Sequence, residues 1–118
     1  MSSTTRSKER KSQVLKGLAE VALLSLLRGE KMYGLQILDG LRSEAGLDVG
    51  EGTIYPLLHR LERASYVESE WQLDADGARP RKYYALTKLG AAELADQVRE
   101  WREISTSLTA FLNRRMKS

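Results

Sequence analysis

The hydrophobic and polar positions change rhythm along the chain, and each rhythm predicts an element. Residues 1–13, "MSSTTRSKERKSQ", have no period and are polar and cationic. They read as a disordered basic arm. From Val14 to Arg28 apolar side chains crowd together at Val14, Leu15, Leu18, Val21, Ala22, Leu24, Leu26 and Leu27. A helix apolar over most of its circumference must be buried, against its own fold or a partner chain. Gly29 supplies its stop. A second helix is predicted from Met32 to Ala45, with Gly34, Ile37, Leu38, Leu41 and Ala45 on one face and Gly46 as its terminator. The next stretch, "EGTIYPLLHRLERASYV", places Ile54, Leu57, Leu58 and Leu61 at i, i+3, i+4 and i+7. It predicts a third helix from Glu51 to Ala64.

At Tyr66 the period drops to two. Val67, Ser69, Trp71 and Leu73 alternate with Glu68, Glu70 and Gln72, and Tyr84 and Leu86 alternate with Tyr83 and Ala85. Between them "DADGARPR" holds Asp, Gly and Pro turn residues, so the two runs form a β-hairpin. At least one of Tyr83 and Tyr84 is expected in the core, and Trp71 is expected to be a core residue of the hairpin. Thr87 stands where an N-cap belongs. The last helix is predicted from Lys88 to Asn113, with Ala91, Leu94, Val98, Trp101, Ser105, Leu108 and Leu112 spaced alternately by three and four. That is a heptad seam, and a seam needs a partner helix.

Three helices, a hairpin and a long helix define a mainly α chain with a two-stranded β-hairpin: a winged helix-turn-helix followed by a C-terminal dimerisation helix. The expected organisation is a disordered arm over 1–13, the winged domain over 14–87, the dimerisation helix over 88–113 and a basic tail over 114–118. The simplest partner for the seam is the same helix of a second copy, and the apolar first helix is expected to join that interface.

Composition sharpens this picture by exclusion. The 118 residues contain no cysteine and a single histidine, which excludes disulfides and thiolate metal sites. No carboxylate pair, glycine-rich phosphate loop or metal-ligand spacing is evident, so neither catalysis nor a cofactor nor a metal is expected. The apolar run Val21–Leu27 is too short for a bilayer, which needs about 20 residues, and no h-region follows the basic start.

Net charge is only +3, but the cations are clustered. Arg6, Lys8, Arg10, Lys11 and Lys16 face one Glu9 at the start, Arg79, Arg81 and Lys82 sit at one loop end, and Arg114, Arg115 and Lys117 close the chain. Such clusters suit a polyanion, although solvated tails explain the terminal ones equally well.

The third helix of a helix-turn-helix enters the DNA major groove. Opposite its apolar stripe lie Gly52, Tyr55, Pro56, His59, Arg60 and Arg63. Gly52 permits close approach. Thr53 and Tyr55 suit phosphates, and His59 and Arg60 suit guanine acceptors or backbone. Arg60 has the alternative of pairing with Glu62 or another acid, and Arg63 reads as a flanking charge. Pro56 removes a helical donor, so the helix is expected to start later than Glu51 or to be distorted in its first turn. Tyr33, at the start of the second helix, suits a phosphate or local packing. Arg79, Arg81 and Lys82 suit phosphate contact from the hairpin, partly offset by Asp74 and Asp76. Trp101 on the seam is either an interface residue or a stacking platform for a flat ligand, and Ser105 leaves room beside it.

The segments "LKGLAEVALLSLL", "MYGLQIL", "GTIYPLLHRLERASYV", "RPRKYYALTKLG" and "REW", in this order and spacing, resemble the PadR transcriptional regulators of the short class with one C-terminal helix. The resemblance runs from Val14 to Leu112. Ser65 departs from it, since Gly usually ends that helix, and the basic arm is longer than the family requires. The resemblance implies a cytoplasmic homodimeric repressor bound to an inverted-repeat operator in double-stranded DNA and released by a small aromatic or drug-like effector. It implies that Pro56 is a fixed feature of the helix tip. It also supports an effector site along the seam at Leu94, Val98, Trp101, Ser105 and Leu108. The competing reading is a dimeric winged-helix interaction module that does not read DNA.

Overall fold

The computed structural model describes residues 17–73, 77 and 79–117. The expected arm, the first residues of the first helix (Val14, Leu15 and Lys16) and Asp74 and Asp76 lie outside them. Within them α1 occupies 17–26 and closes in a turn over 27–29. Then follow β1 (Met32–Tyr33), α2 (Gly34–Ala45), α3 (Glu51–Arg63), β2 (Val67–Leu73), β3 (Pro80–Leu86) and α4 (Lys88–Arg115). The expected mainly α winged helix-turn-helix with a long last helix is the fold observed.

Leu23, Leu24 and Leu27 of α1 and its turn, Ile37 and Leu41 of α2, and Ile54, Leu58 and Leu61 of α3 form the core. Val67, Tyr84 and Leu94 close it from the sheet and α4. Truncating one of these leucines to Ala would cost about 2–5 kcal/mol. Tyr84 is the buried member of the tyrosine pair, while Tyr83 is half-buried.

The sheet has three strands rather than two, in the order β1-β3-β2. β1 pairs antiparallel with β3 through Met32↔Tyr84 and Tyr33↔Tyr83. The expected second helix therefore starts two residues late, because Met32 and Tyr33 are extended. Tyr33 serves as its N-cap with an extended backbone, and its N–H donates to Gln36 Oε1 at 3.1 Å. The β2–β3 register runs from Val67↔Leu86 to Leu73↔Pro80.

Trp71 corrects a second expectation: it is 67% exposed and not a core residue. Val67, Ser69, Trp71 and Leu73 share one sheet face. Only the base of that face is covered by helices, and the hairpin runs on past them.

Pro56 lies inside a helix that already begins at Glu51, so the expected later start does not occur. In the first turn Thr53 N–H and Ile54 N–H both donate to the Gly50 carbonyl at 3.1 Å, a sharing common at helix ends. The donor that Pro56 lacks would have met the carbonyl of Gly52, which is exposed.

The end of α3 and the start of α4 form one knot. Ser65 N–H and Tyr66 N–H donate back to Glu62 and Leu61 carbonyls, with Ser65 left-handed at φ 67°. A non-glycine residue pays about 1 kcal/mol for that conformation. Thr87 caps α4 by accepting from Gly90 N–H at 2.9 Å, and its hydroxyl donates to the Ser65 carbonyl at 2.7 Å. A Cβ on Gly90 would lie 2.0 Å from the Tyr66 carbonyl oxygen, so glycine is required for this approach. α4 then continues through 28 residues, two beyond the expected end, so Arg114 and Arg115 belong to the helix and not to a tail.

Candidate nucleic-acid interface

The outward face of α3 is set by where its stripe is buried. Opposite Ile54, Leu58 and Leu61 lies a row of exposed residues, Gly52, Pro56, His59 and Arg63, separated by four, three and four positions. Tyr55 leans from this row toward the sheet. Its ring lies across the start of α2, where a Cβ on Gly34 would stand 2.3 Å from the Tyr55 hydroxyl. Glycine at 34 is what lets α3 and α2 close together there.

The wing completes the site. Tyr33, Tyr55, His59, Arg81 and Lys82 line one groove of about 350 Å³, together with Gly34, Leu35, Trp71, Pro80 and Tyr84. Tyr33 meets Tyr83 edge to face at 5.4 Å, and the Arg81 guanidinium lies 4.2 Å from the centre of the Tyr33 ring. Lys82 sits 5.6 Å from the Tyr84 ring centre and 3.8 Å from Glu62, whose other oxygen accepts from Ser69 Oγ. Burial, the largest influence, raises the Tyr84 hydroxyl above the usual phenol range, so it stays neutral in the folded chain. Arg79 is exposed at the approach to β3, and Pro56 is exposed on the outward row of α3. These groups offer hydroxyl donors, cations and apolar rings on one side of the molecule. That combination suits a phosphodiester backbone with bases beside it.

Arg60 and Thr53 lie elsewhere. Arg60 points to the α1 side of α3, where Nη2 donates to Glu20 Oε1 at 2.6 Å. Glu20 Oε2 accepts from Gln97 Nε2 at 2.6 Å, and Gln97 also donates to Glu93 at 2.7 Å. The alternative partner expected for Arg60 is thus an acid, but Glu20 rather than Glu62. Thr53 is half-buried on that same flank, by helical spacing. Arg63, read as a flanking charge, is the last member of the outward row, at the C-terminal end of α3. The separations that place it there are visible in the sequence; the pairing of Arg60 with Glu20, 40 positions away, is not.

The second expected site divides. Leu94 and Val98 line a groove of about 730 Å³ between α1 and α4, with Ser25, Arg28, Ala91 and Ala95. Trp101 and Leu108 lie past it, 48% and 51% exposed, and Ser105 is half-buried between them.

The fold defined by α1–α3 and the three-stranded sheet is the winged helix-turn-helix of transcriptional regulators, extended here by α4. Residues 23–96 match the transcriptional regulator PadR-like family. The chain belongs to that family, whose members are transcription regulators and not enzymes. It is similar to a PadR-like transcription factor of Bacteroides fragilis, 37% identical, with a TM-score of 0.69 over 87% of this chain and 98% of that one. A PadR family transcriptional regulator of Eggerthella lenta is 28% identical, with a TM-score of 0.82 over 95% of this chain and 96% of that one. An uncharacterized protein X of Lysinibacillus sphaericus is 30% identical over 86% of this chain and 94% of its own length. Among the described residues no helix is long and apolar enough to cross a membrane.

Proposed function

We propose that this chain is a cytoplasmic, homodimeric repressor that binds an inverted-repeat operator in double-stranded DNA. The observation that carries the reading is the single groove holding Tyr33, Tyr55, His59, Arg81 and Lys82 beside the exposed row of α3. Family membership supports the same reading. In it α3 enters the major groove, with His59 toward base edges and Arg63, at the far end of the helix, toward the flanking backbone, while Tyr33, Tyr55, Arg79, Arg81 and Lys82 hold phosphates and Pro56 shapes the tip. Dimerisation through the exposed seam of α4 sets two α3 helices about 34–36 Å apart, one DNA turn.

The test is a fluorescence-anisotropy titration with the DNA upstream of the chain's own coding sequence, against random DNA of equal length. Specific binding should be at least 1,000-fold tighter than random binding at physiological salt. Lys82→Ala should weaken both and flatten the salt dependence by about one unit per subunit. Equal affinity for both DNAs sinks the repressor reading and leaves the interaction module.

A small flat effector acting on α4 is supported by the α1–α4 groove and by the half-exposed Trp101 beyond it. Titrating aromatic compounds into the operator complex should release DNA, and Trp101→Ala should abolish that release. Release that survives the substitution removes Trp101 from the effector site.

A further inference from the structure

The α3-facing side of the sheet continues beyond the core that it covers. Its cross-strand pairs run Val67↔Leu86, Ser69↔Tyr84, Trp71↔Lys82 and Leu73↔Pro80. Val67 and Tyr84 are buried, whereas Trp71 and Leu73 are 67% and 66% exposed. The outer half of this face is therefore an apolar platform with one lysine at its inner edge. It is not isolated: Trp71 and Pro80 line the same groove as Tyr55 and His59.

Large exposed apolar side chains on a small domain mark a contact surface. Lys82, across from Trp71 on this face, and Arg81, which lies over the Tyr33 ring on the opposite face but borders the same groove, favour a polyanion with flat apolar parts. Of the nearby acids, Glu62 reaches this face, 3.8 Å from Lys82 and accepting from Ser69 Oγ, while Glu70, on the opposite face, pairs with Lys31 at 3.2 Å.

We infer that Trp71 is a DNA-contacting residue whose indole, backed by Leu73 and Pro80, packs on deoxyribose and exposed base edge beside the groove that α3 enters. This rests on the DNA-binding reading above and adds to it a non-ionic contact. A wing with cations alone positions the duplex by charge. A wing with an indole also gains from apolar contact, which carries no counterion release and so adds nothing to the salt slope, and apolar side chains are used against the minor groove. The platform thereby also responds to groove width and step flexibility.

The experiment uses the full chain and the labelled duplex from upstream of its own coding sequence. Trp71→Ala should weaken binding at least tenfold with the slope of log affinity against log salt unchanged, and Trp71→Phe should recover most of the loss. Lys82→Ala is the contrast, changing the slope. The chain has two tryptophans, so a Trp101→Phe background, with its own affinity measured as reference, isolates the Trp71 emission. That emission should be quenched on DNA addition. Because Trp71 is exposed, the thermal midpoint of Trp71→Ala should match that of the parent.

If the parent prefers its upstream DNA while Trp71→Ala binds equally well and the Trp71 emission is unmoved, this inference alone falls. A parent with no preference for that DNA overturns the regulator reading and this one with it. A Trp71 emission that shifts with protein concentration in the absence of DNA assigns the platform to a second copy and overturns the inference.

Discussion

The two halves of α4 belong to one continuous helix but are held in different ways. The first half is fixed within the chain. Thr87 caps it, Gly90 lies against the Tyr66 carbonyl, and Leu94 is only 6% exposed. The second half touches little. Trp101, Ile104, Leu108, Phe111 and Leu112 are each at least 45% exposed. A helix of 28 residues is about 42 Å long, longer than this small core can cover. Regular backbone in the second half thus says nothing about what stabilises it. Isolated helices in water are marginal, and an uncovered apolar face obtains its stability from whatever packs on it.

Breaking the first half should have the largest effect. Gly90→Leu drives a side chain into the Tyr66 carbonyl and Leu86, and should destabilise the fold by about 3 kcal/mol or more in urea unfolding. The neighbour Leu89→Ala, at an exposed position, should stay within about 0.5 kcal/mol. The second half should answer a different measurement. Leu108→Glu should raise the dimer dissociation constant at least a hundredfold in sedimentation equilibrium. Its apparent stability should lose concentration dependence, because the linkage to assembly is gone. A monomeric wild type at micromolar concentration would remove this half of the contrast.

Smaller changes sharpen the boundary between the halves. Thr87→Ala removes the α4 cap and the hydroxyl that holds the Ser65 carbonyl, and should cost about 1 kcal/mol without altering dimer affinity at matched folded concentration. Ser65→Gly relieves a left-handed residue and should gain about 0.5–1 kcal/mol, read as a rise in the unfolding midpoint. A loss would mean that the added freedom of the unfolded glycine outweighs the relieved strain.

What the sequence shows and what it hides follow a physical division. Local spacing gives the stripe of α3, the stop at Gly46, the cap at Thr87 and the hairpin from Val67, because each depends on neighbours within a turn or a strand. β1 is hidden because Met32 and Tyr33 are too few to display a period of two. The exposure of Trp71 is hidden because alternation reports a face but not where the helices covering that face end. On the third helix, spacing alone leaves Arg60 a base or backbone contact or a partner for an acid. Its pairing with Glu20 depends on α1 and α4 meeting there, which no window of sequence contains. Tyr55 shows the intermediate case: Gly34 and Tyr55 are each notable alone, yet only the packed structure shows that one exists to accommodate the other.

The short strand β1 has a consequence for how far the molecule reaches. β3 is held at its base on both sides, by Met32 and Tyr33 on one edge and by β2 on the other. The β1 pairing therefore holds the register at the root of the hairpin, in addition to whatever the tip contributes. Lengthening each strand by two residues would carry the tip outward by about 7 Å while every root pair keeps its partner. The same scaffold could span a wider or narrower target by trimming the hairpin alone, with α3 left undisturbed.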